Sequence, residues 1–102
     1  MKEIKDIVKE LRDELSGAKH YAERAVMLKD IDSSAANMYA DMARAELGHV
    51  DKLHSFAVKL INAQKAKGVE APEAMQAVWD WEHELMMDKT ARIHTLLNMV
   101  NK

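Results

Sequence analysis

The sequence predicts an all-α protein, an antiparallel helical hairpin followed by a third helix. Three observations carry this. The 102-residue chain contains only three glycines and one proline. Ala, Leu, Met, Glu and Lys dominate it, and all of them favour helix. Apolar residues recur at spacings of three and four along three stretches, which two short polar joints separate. The length suits a single domain, residues 1–102, and the short joints make consecutive helices antiparallel neighbours.

Helix one is expected over about residues 2–28. Ile4, Ile7, Val8, Leu11, Leu15, Ala18, Ala22, Ala25 and Val26 form its apolar face, and Gly17 within it marks a close helix contact. In "KDIDSS", Asp32 or Ser33 can cap the next helix by accepting its free N–H groups. Helix two is expected over about 33–67, with an inward stripe of Ala35, Met38, Met42, Ala45, Leu53, Phe56, Leu60 and Ile61, and Gly68 as its stop. Pro72 and Glu73 suit the first turn of helix three, expected over about 72–100. Its apolar face holds Met75, Val78, Trp79, Leu85, Met86, Ile93, Leu96, Leu97 and Val100.

Hydrophobic residues make up 48% of the chain, and a domain this small leaves much apolar surface wet. Association with a second copy is therefore expected. The net charge is −2, with acids and bases interspersed and no basic stripe, so no nucleic-acid partner is expected. The absence of cysteine removes disulfides, thiolate metal sites and CxxC redox pairs. The opening "MKEIKDIVKE" is too charged for a signal peptide, and no apolar run approaches the roughly 20 residues of a membrane span. A cytoplasmic protein without a membrane partner is expected. No nucleophilic triad, phosphate loop or dinucleotide fingerprint is present.

Polar residues interrupt two of the stripes. On helix two, Glu46 and His49 fall on inward positions between Met42 and Leu53; on helix one, Glu14 does so beside Leu15. Buried charges need partners or a metal. If the first hairpin folds about residue 30, positions equidistant from it sit level. Glu14 then faces Glu46, with His49 about 4.5 Å further along the axis, and Tyr21 faces Tyr39 about 10 Å towards the loop. Carboxylates with an imidazole suit iron or manganese, and also zinc. Bundle di-iron centres use two lone Glu residues and two E-x-x-H pairs. One hairpin supplies one of each, so a twofold dimer supplies the set. The competing reading is a buried Glu–His cluster in a non-catalytic helical interaction or assembly module.

Other groups read more weakly. Glu82 falls on an inward line of helix three but is expected to be a partly exposed helix carboxylate. In "WDWEHE", Trp79 is expected to anchor an interface, while Asp80, Glu82, His83 and Glu84 read as a solvated face. His94 is a weak ligand candidate, and His20 and His54 look exposed.

"ELSGAKHYAERA" followed by "ADMARAELGHVDKL" resembles the first two helices of the ferritin-like superfamily, in a pattern similar to the E-x-x-A…Y and E-x-x-H of rubrerythrin-type proteins. The short chain looks most like the half-sized members typified by encapsulated ferritins. That resemblance, over roughly residues 4–60, implies a ferritin-like four-helix bundle completed by dimerisation. It implies metal ligands at Glu14, Glu46 and His49, the family's tyrosine at Tyr21, and an iron-binding, di-iron oxidoreductase. The expected activity is that of a ferroxidase or a di-iron peroxidase, in which Tyr21 and Tyr39 would orient the ligands or supply electrons. Helix three departs from the family pattern. The C-terminal "LLNMVNK" does not look like the tail peptide that sends such cargo into a protein shell, so encapsulation is not expected.

Overall fold

A computed structural model describes residues 2–68 and 73–100. It contains three helices, α1 (Lys2–Leu28), α2 (Ser33–Ala66) and α3 (Glu73–Val100), and no strand among the described residues. They form a rod of about 56 × 18 × 18 Å. α1 and α2 pack along most of their length, and α3 leans chiefly on α1 and only thinly on α2. No helix is long and apolar enough to cross a membrane.

The joints follow from local chemistry. Asp32 adopts an extended conformation, and its Oδ1 accepts the Ala35 N–H at 3.1 Å, capping α2. α2 ends one residue earlier than expected, at Ala66. Gly68 follows with φ +76°, a left-handed conformation that glycine adopts without steric cost. The expected role of Pro72 lies outside the described residues, as do the side chains of Met75 and Val78.

The core between α1 and α2 is built largely from alanine. Ala18, Ala22 and Ala25 face Ala36, Ala40 and Ala43, flanked by Leu11, Leu15, Leu47, Val50 and Ala57. Small side chains let two helices approach closely, and the larger residues fill the spaces at either end. Met86, Ile93 and Leu97 of α3 join this core.

The expected inward stripe of α2 is therefore displaced. Ala36, Ala40, Ala43, Leu47, Val50 and Ala57 are buried, whereas Met38 is 50% exposed and Phe56 54% exposed, with Met42 also at the surface. Ala45 is exposed as well; only Ile61 of that stripe is fully buried. The physical reason is that α1 presents alanines at this level, and alanines of α2 match them more closely than methionines do.

Glu82 also differs from expectation. It is buried, at 7% exposure, and is held by Arg12 of α1. Arg12 Nε donates to Glu82 Oε2 at 3.0 Å, and a second guanidinium nitrogen meets the other oxygen. This two-point pairing gives the carboxylate the donors that burial removes. The neighbouring rings of α2 and α3 also pack within the chain. His54 is half-buried against Trp79 and His83 rather than exposed.

Two stability predictions follow from this packing. Arg12→Ala leaves Glu82 buried without its cation and should lower the stability read by urea unfolding by about 1–2 kcal/mol, reduced because Arg12 itself is half exposed. Gly48 sits inside α2 with open space where a Cβ would stand, so Gly48→Ala should raise stability by about 0.5–1 kcal/mol in the same assay.

Candidate metal centre

Glu14 projects from the middle of α1, and Glu46 and His49 project from adjacent turns of α2. The close alanine packing beside them sets the distance between the two helices. Each of the three residues offers a ligand atom, and these atoms lie within 4.8 Å of one another. Among the described residues this is the only group of three such side chains that converges in this way. Glu14 Oε2 lies 3.3 Å from His49 Nδ1.

The group sits at the edge of the core. Glu14 and Glu46 are half-buried, and His49 is 53% exposed. Full inward placement of His49 is corrected on this point. The buried stripe runs through Leu47 and Val50, leaving His49 on the flank, where one side of its ring faces away from the chain. Tyr21 and Tyr39 stack with ring centroids 6.1 Å apart, and Arg24 lies over the Tyr39 ring at 5.1 Å. His94 is exposed and does not join the group.

Gly17 belongs to the same place. A β-carbon there would stand 3.3 Å from Glu46 Oε2. Its bare backbone leaves the space that the Glu46 carboxyl occupies beside α1. The close contact expected of Gly17 is thus with a carboxylate rather than with a helix backbone.

The two carboxyls titrate as a pair. Interaction with Glu14, burial and the nearby Glu14 charge push Glu46 above its ordinary value, against a smaller opposing pull from His49. Glu14 is held below its ordinary value, first by its interaction with Glu46 and then, against burial, by His49. As pH rises, Glu14 therefore loses its proton before Glu46 does. Two carboxylates and an imidazole fit a divalent cation such as Fe²⁺, Mn²⁺ or Zn²⁺, whose charge the carboxylates would balance.

Comparisons with family models, curated proteins and solved structures find no match to this chain. Sequence reasoning placed Glu82, His54 and His83 at the surface and did not single out Arg12. The available signal was the position of Glu82 among Val78, Leu85 and Met86; its partner Arg12 lies 70 positions away and shares no local pattern with it.

The pair makes stability depend on pH with opposite signs at its two members. The raised Glu46 value removes stability as pH climbs through it. The lowered Glu14 value contributes stability above the ordinary carboxyl range, and this is lost as pH falls through the depressed value. Glu46→Gln removes the carboxyl that must ionise beside Glu14. In the metal-free protein it should raise the thermal midpoint at pH 7.5 by roughly 2–4 °C and narrow the difference between pH 5 and pH 7.5, as read by circular dichroism.

Proposed function

We propose that this chain is an iron-binding, ferritin-like protein. Glu14, Glu46 and His49 form half of a di-iron carboxylate centre, and a second copy related by a twofold axis contributes the other half. The substrate is Fe²⁺, oxidised with oxygen or peroxide. The observation that carries this reading is the convergence of the three donors at the flank of the hairpin, half open to the outside. A set of three donors leaves Fe²⁺ under-coordinated, and a twin hairpin would bring the second Glu and the second E-x-x-H pair of a bundle di-iron centre.

The surroundings support a twin. Met38, Met42 and Phe56 lie exposed on the side of α2 that carries His49, with Leu53 and Leu60 half-buried at its edge. An apolar strip of this kind beside a ligand group suits an interface. In the bundle that results, the helices completing it come from the twin hairpin, and α3 stays on the far side of its own hairpin.

Each iron supplies one electron to the oxidant. The chain's own residues do the rest. Glu14 and Glu46 would balance the positive charge of the ion. His49 offers a ring nitrogen, and Gly17 keeps room for the Glu46 carboxyl. Tyr21, stacked on Tyr39, orients the ligands or supplies electrons. Manganese and zinc satisfy the same donors, so the metal is assigned by assay.

The second reading, a non-catalytic assembly module, draws on the same exposed strip of α2. The half-open position of His49 favours the metal centre, because a structural Glu–His cluster gains most when it is fully enclosed.

Anaerobic titration of the metal-free protein with Fe²⁺, followed by oxygen, tests the proposal. About one ion should bind per chain, half of a two-iron centre, with a new absorbance on oxidation and a dimer in sedimentation. Glu14→Ala and His49→Ala should each weaken binding by about tenfold or more. Absence of both binding and oxidation absorbance overturns the reading. A thermal midpoint indifferent to metal and chelator, with a stable Glu14→Ala variant, favours the assembly module.

A further inference from the structure

The proposed centre makes no use of α3. Arg12 and Glu14 are two residues apart on α1 and project about 200° apart, so Arg12 meets α3 while Glu14 faces the metal group. What joins α3 to α2 is a short stack of rings. His54 of α2 lies 4.9 Å from His83 and 6.2 Å from Trp79, and Trp79 lies 6.4 Å from His83. Interplanar angles of 11°, 23° and 25° set the three rings near parallel, with the two contacts to Trp79 offset. Beside them is a cavity of about 20 Å³, walled by Leu11, Leu15, Met86 and Glu82 among others. That is room for about one water and no hydration shell.

We propose that the His54–His83 stack is a proton-sensitive clasp, holding the first half of α3 on the hairpin while the rings are neutral and releasing it when both are charged. Neutral imidazoles stack on each other and on an indole. Two imidazolium ions at this separation repel.

The neighbouring charges reinforce this. From α1, Arg12 is a cation already committed to Glu82 of α3. From α3, Lys89 adds a second positive charge at the wall of the cavity that His83 also lines. From α2, Asp51 opposes the effect by favouring charged His54. Burial, then His83, still leaves His54 below its ordinary value. The docked helix therefore binds fewer protons than the released one. The clasp is at full strength above about pH 6.5 and weakens as pH falls below it. A metal shared by the two histidines is a poorer reading. Near-parallel rings present their nitrogens side by side rather than towards one point, and no third ligand converges there among the described residues.

Hydrogen exchange of the full, metal-free chain at pH 7.5 and pH 5.5, corrected for intrinsic rates, tests the clasp without reference to the metal centre. Peptides covering residues 79–86 should lose protection by about tenfold or more at pH 5.5 relative to α1 peptides, while those around Ile93 and Leu97 keep it. His54→Gln and His83→Gln, made separately so that each retains one ring, should remove this response. Protection over 79–86 that tracks α1 at both pH values overturns the proposal. So does an acid response that survives in both variants, which would trace it to groups elsewhere, such as Glu14, Glu46 and His49.

Discussion

The rest of the structure depends on how closely α1 and α2 approach. Ala18, Ala22 and Ala25 against Ala36, Ala40 and Ala43 leave no side-chain volume to hold the helices apart. At that separation Glu14 reaches Glu46 and His49, and Glu46 fits against Gly17. Larger residues in this seam would widen the gap and draw the donors apart. The alanine seam therefore acts as the spacer of the candidate centre as well as the core of the hairpin.

The same seam explains which surfaces are left uncovered. Once alanines take the inward line of α2, Met38, Met42 and Phe56 turn to the flank beside His49. α3 covers the opposite side, through Met86, Ile93 and Leu97. The hairpin thus has one face closed by its own chain and one left open next to the carboxylates. Burial of charge follows the same division. Glu82, on the closed side, is matched by a guanidinium from within the chain, whereas Glu14 and Glu46, on the open side, have only each other and an imidazole.

Much of this was legible in the sequence because it is local. Helical periodicity located all three helices, Asp32 and Gly68 marked the limits of α2, and the spacing about residue 30 paired Glu14 with Glu46 and Tyr21 with Tyr39. The rotation of α2 was harder to read. Its apolar residues are spread over more than half of the helix surface, so hydrophobicity alone favoured the methionines, and only the shape of the facing helix selects the alanines. The contacts of α3 were least legible. Arg12 with Glu82, and His54 with His83, join residues distant in sequence, and each appears locally as a polar residue on a helix surface.

The tyrosine pair is electrically lopsided. Arg24 places its guanidinium over the ring of Tyr39, and a cation facing a π-system holds those electrons more tightly. Tyr21 has no such cover and borders His20 instead. Of two chemically identical phenols in near-parallel contact, the one on α1 is thus the easier to oxidise, and an electron vacancy reaching the pair would come to rest there.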